Sequence, residues 1–106
     1  MRPFLVLLAL VAANPTAAAP SAEKGKAAFV QHGCFQCHGF AGQGGSNGKT
    51  LAPNPLPYEA FSVFVRNTNG AMPPYQKAIL SDDDLADIYA YLRTVKVPDY
   101  KTLPLP

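Results

Sequence analysis

The chain has 106 residues, enough for one domain at most. Its formal charge of +2 comes from scattered residues with no basic block, which excludes nucleic-acid binding as a function class. No internal repeat and no second domain are visible.

Residues 1–19 read as a cleaved signal peptide. Arg2 gives a positive start, Phe4 to Val11 is an apolar run extended by Ala12 and Ala13, and Ala17-Ala18-Ala19 are small residues of the kind that precede a cut. The run is shorter than the about 20 residues that span a bilayer. No cysteine stands at the junction to carry a lipid. The expected organisation is therefore a signal peptide over 1–19, cut after Ala17, Ala18 or Ala19, and one domain over 20–106. The mature protein is expected in the periplasm or otherwise exported, and not membrane-spanning.

Ser21-Ala22-Glu23-Lys24 marks a first helix with an N-cap and an acid in its first turn. Gly25, Ala28 and Phe29 fall on one face, and Gly33 is the expected stop. Gly25 inside a helix points to a close backbone approach by another element. Five glycines among residues 39–48 predict a loop with positive backbone angles. Pro53, Pro55 and Pro57 keep its continuation extended. A loop this long is unusual in a compact domain and makes sense packed on something other than protein.

Tyr58 to Asn67 is expected as a short helix, with Phe61, Phe64 and Val65 at helical spacing. Gly70-Ala71-Met72-Pro73-Pro74-Tyr75 then holds a methionine in a proline-stiffened turn. A last helix begins at Ser81, with Asp82, Asp83 and Asp84 in its first turn and a stripe of Leu85, Ile88, Tyr89 and Leu92. Pro98 stops any extension, and residues 99–106 are expected to be irregular. Lys49, Arg66 and Lys77 read as solvated surface rather than as a docking face.

The chemistry lies in Cys34-Phe35-Gln36-Cys37-His38, the attachment signature of c-type haem. Each thiol can form a thioether to a haem vinyl group, and the adjacent imidazole can ligate the iron. A thioredoxin-like dithiol needs a strand-helix setting that this chain lacks. Zinc would need His32, Cys34, Cys37 and His38, which are four ligands within seven residues and too close to surround a tetrahedral ion. Met72 is the only methionine left after the leader, 34 residues beyond His38, and is the candidate for the opposite axial position. His32 is tied to the side of Cys34 and is read as surface. His38 and Met72 together would fill both axial sites, which suits electron transfer and disfavours substrate chemistry at iron.

These features resemble the class I cytochromes c of the small bacterial, monohaem type. The resemblance runs from about Ala22 to Val95. It rests on Gly25-x-x-x-Phe29, Cys34-x-x-Cys37-His38-Gly39, Ala71-Met72-Pro73 and Leu85-Ala86-Asp87-Ile88-Tyr89-Ala90-Tyr91-Leu92. It implies an all-α cytochrome c fold, with three to four short helices and long loops wrapped round one covalently bound haem. The first and last helices should cross near Gly25, Phe29, Ile88 and Tyr91. Haem c would be held by Cys34 and Cys37, with His38 proximal and Met72 distal as axial iron ligands. One departure stands out. Such proteins often carry Gly-Pro before a leucine after the haem motif, and the proline carbonyl accepts a hydrogen bond from the proximal imidazole. Here Gly48-Lys49-Thr50-Leu51 stands there, leaving Lys49 or Pro53 to supply the carbonyl.

The function expected is single-electron transfer between redox donor and acceptor proteins, with no catalytic residue of its own. The protein would act as a free carrier or as the electron-transfer subunit of a periplasmic dehydrogenase. The alternative is a haem peroxidase or gas-binding protein in which Met72 dissociates. The proline-rich stretches Leu51 to Tyr58 and Pro73 to Tyr75 are expected to pack on haem rather than to dock a partner.

Overall fold

The computed structural model describes residues 3–4 and 19–96. The leader expected over 1–19 falls, except for residues 3, 4 and 19, outside the described residues, as does the tail from 97 onward. Four helices follow in order: α1 (Ala22–Gln31), α2 (Cys34–His38), α3 (Tyr58–Arg66) and α4 (Asp82–Thr94). Among the described residues the only β-type pairing is an isolated bridge between Gly45 and Gly48. No described helix is long and apolar enough to cross a membrane. The fold is all-α, as the sequence predicts.

The helix starts follow the capping residues. The Ser21 side chain accepts a hydrogen bond from the Lys24 amide at 3.2 Å, and the Ser81 side chain accepts one from the Asp84 amide at 3.1 Å. Each removes one unpaired donor from a helix end. α3 begins after Pro57, whose carbonyl accepts from the Phe61 amide, and ends at Arg66 with Asn67 as its cap.

α1 packs across α4, and Gly25 is where they meet. A Cβ at this position would collide with the backbone carbonyl of Asp87. The absence of a side chain lets the two backbones touch, which is the close approach that a helical glycine implies. Two further contacts fix the crossing. The Ser21 amide donates to Asp87 Oδ1 at 2.8 Å. The Phe29 and Tyr91 rings lie 5.7 Å apart at an interplanar angle of 59°.

Phe29, Leu85, Ile88 and Leu92 are buried at this crossing, and Phe61 and Val65 of α3, with Leu80, complete the core. Burying each large apolar side chain stabilises the fold by about 1.5–3 kcal/mol. No charged or polar side chain is buried among the described residues. Of the apolar residues expected on α3, Phe64 does not join the core; it is exposed together with Val63.

Candidate functional site

α2 is one turn of helix formed by the five residues of the motif itself. A turn this short leaves no periodic signal, so the sequence does not announce it. It puts Cys34, Cys37 and His38 at i, i+3 and i+4, on one face. Gly33 joins it to α1 with a positive φ of 77°. The two cysteines are not bonded to each other; Cys34 is half-buried and Cys37 exposed. Burial pushes the Cys34 thiol up to about 11.

The loop after the motif folds back beneath it. Positive φ occurs at Gly39, Gly42 and Gly44, in line with the expected loop geometry. The Gly44 amide donates to the His38 carbonyl at 2.7 Å, and the Leu51 and Ala52 amides both donate to the Gly42 carbonyl. The Thr50 hydroxyl donates to the Gln43 carbonyl at 3.0 Å, and the Ala41 amide to Gln43 Oε1 at 2.9 Å. From the other side, the Tyr91 hydroxyl of α4 donates to the Phe40 carbonyl at 2.9 Å.

This return brings the Lys49 carbonyl to 2.7 Å from His38 Nδ1. Lys49, not Pro53, supplies the acceptor. A carbonyl oxygen only accepts, so Nδ1 carries the proton and Nε2 keeps its lone pair free for a metal. The approach depends on Gly48, where a Cβ would stand 2.6 Å from the Cys37 carbonyl oxygen and 2.9 Å from His38 Nδ1.

Met72 lies after α3 and is half-buried. It packs against the same core as Cys34, Phe35 and Leu51. Its carbonyl accepts a hydrogen bond from the Thr68 hydroxyl at 2.7 Å. His32 corrects an expectation: it is not surface. Its side chain is only 11 % exposed, with its ring edge-on to Tyr75 and Nε2 3.9 Å from Asp84 Oδ2. The packing of Tyr75 covers it, a long-range contact that a single sequence does not reveal. Arg66 is likewise not solvated surface, and its side chain is turned onto the segment before α4.

The residues present fit a haem. The donor set is two unpaired thiols, an imidazole with Nε2 free and a thioether. Phe40, beside the motif, is exposed and stacks on Phe35 within it, with ring centroids 4.7 Å apart.

The helical order, the one-turn Cys34-x-x-Cys37-His38 motif and the carbonyl-held imidazole are those of a c-type cytochrome. The sequence model of the family described as "Cytochrome C oxidase, cbb3-type, subunit III" matches residues 20–92, and the chain belongs to that family of c-type cytochromes. Its cofactor is accordingly haem c, with one covalently attached iron porphyrin, and its activity is haem-based electron transfer rather than catalysis. No curated protein and no solved structure matches the chain.

Proposed function

We propose that the protein is a periplasmic cytochrome carrying single electrons between redox proteins through a haem ligated by His38 and Met72. Cys34 and Cys37 hold the haem through thioethers. When bound, the haem supplies an iron that changes by one electron. The hydrogen bond from His38 Nδ1 to Lys49 carries this reading, because it commits one ring nitrogen and orients the other as a ligand. Met72 would supply the protein's second ligand to the iron and so leave no position for substrate. A thioether ligand raises the potential relative to a second nitrogen. The residues 1–19 support export. The partners proposed are a periplasmic dehydrogenase as donor and an oxidase as acceptor, the latter carried over from the family's description alone.

The test is the absorption spectrum of the oxidised holoprotein. Met72 ligation gives a weak sulfur-to-iron band in the near infrared, which Met72→Ala abolishes while lowering the potential. A wild-type protein without that band, or one that binds carbon monoxide rapidly when reduced, would refute the axial pair and favour the peroxidase or gas-binding alternative.

A further inference from the structure

The segment that carries Met72 has little structure of its own. Among the described residues, no backbone–backbone hydrogen bond involves residues 68–74. Gly70 has no atom near the position of a Cβ. Besides the Thr68–Met72 bond and the packing of Met72 on the core, the segment is held from its far end, and that end is gripped by Arg66.

Arg66 is the last residue of α3, and its side chain is only 14 % exposed. Nη1 donates to the Tyr75 carbonyl at 2.9 Å and to the Leu80 carbonyl at 2.6 Å. Nη2 donates to Asp82 Oδ1 at 2.9 Å. One planar, permanently charged fork thus joins three points along residues 75–82 to the end of α3. Tyr75 is fixed further. Its amide donates to the Val65 carbonyl at 3.0 Å. Its hydroxyl donates to the His32 carbonyl at 2.7 Å, two residues ahead of Cys34.

We infer that Arg66 is a positioning residue for Met72: its guanidinium anchors the Met72 segment, and Tyr75 ties that segment to the chain entering the haem-attachment helix. The inference rests on the proposed ligation by Met72. With the anchor in place, the thioether is held without ordering cost. With it loosened, the segment swings away and the axial bond competes with a freer chain.

The experiment uses the haem-loaded protein with Arg66→Lys and Tyr75→Phe. Arg66→Lys keeps the charge beside Asp82 but cannot span two carbonyls. The first readout is the pH at which the sulfur-to-iron band disappears on alkaline titration. Arg66→Lys removes hydrogen bonds made by a charged donor and should lower that pH by about one unit or more, a tenfold loss of ligation. Tyr75→Phe should lower it less. The second readout is amide hydrogen exchange, which should quicken at the hydrogen-bonded amides of Tyr75, Ile79 and Leu80 and not in α1 or α4. A wild-type band that Arg66→Lys leaves at the same pH overturns the inference. If the wild type has no band, ligation by Met72 is refuted instead. Exchange then decides the anchor: faster local exchange in Arg66→Lys upholds it, and unchanged exchange overturns it.

Discussion

His38 Nδ1 lies 2.7 Å from the carbonyl oxygen of Lys49, and Gly48 is the residue that lets the two meet. The bond is made by the backbone, so the side chain at position 49 is free to vary. This explains how lysine can stand where related proteins often carry proline. Gly48→Ala would force the loop away from the Cys37 carbonyl and stretch the bond. With His38 as the proposed iron ligand, a weaker bond would leave the imidazole a poorer donor and stabilise oxidised iron less. The expected result is a higher reduction potential, by on the order of 40 mV for a ~1 kcal/mol loss. Lys49→Arg should leave the potential where it is. Voltammetry of the two variants checks both, and an unshifted Gly48→Ala would mean the bond does not tune the iron.

Gly25 makes the equivalent contact between α1 and α4. In an isolated helix, alanine would gain up to about 1 kcal/mol over glycine. Here its methyl group would strike the Asp87 carbonyl, and overpacking of this kind costs about 1–3 kcal/mol. Gly25→Ala should lower the melting temperature of the holoprotein while leaving the spectrum of the haem intact. A raised melting temperature would show that the helices separate at no cost.

The features legible in the sequence are those written in local spacing. The motif of Cys34, Cys37 and His38 is contiguous. Ser21 and Ser81 announce their helices within four residues, and Gly25 is conspicuous because it interrupts a helical pattern. The pairings that the sequence does not show act over distance. Arg66 reaches residues 75–82 across a loop, Tyr75 reaches back to His32, and the half-burial of His32 follows from that contact. Nothing in the spacing of these residues encodes their pairing. The choice of Lys49 over Pro53 also needed coordinates, because any carbonyl can accept.

Tyr91 joins the core to the loop that follows the motif. Its ring packs on Phe29, and its hydroxyl donates to the Phe40 carbonyl. Tyr91→Phe keeps the ring and removes the tether. The expected loss is about 0.5–1.5 kcal/mol of stability, the usual net worth of one hydrogen bond. It should show in denaturant unfolding with no change in the slope. An unaltered midpoint would mean that solvent replaces the bond fully.

Asp82 gives the fold a dependence on acid. Lys77 Nζ at 3.3 Å and Arg66 Nη2 at 2.9 Å hold its carboxyl below the ordinary carboxylate range. Because the folded pKa is the lower one, the contribution is complete above the unfolded value of about 3.9. It fades as pH falls through the folded value, where both states bind the proton. Asp82→Asn should therefore melt below the wild type at about pH 7, and the gap should close at about pH 2. The carboxylate is well exposed, so about 1 M salt should also narrow the gap at neutral pH. Melting curves at the two pH values, with and without salt, check the sign. A gap that persists unchanged in acid would assign the effect of the variant to packing rather than to charge.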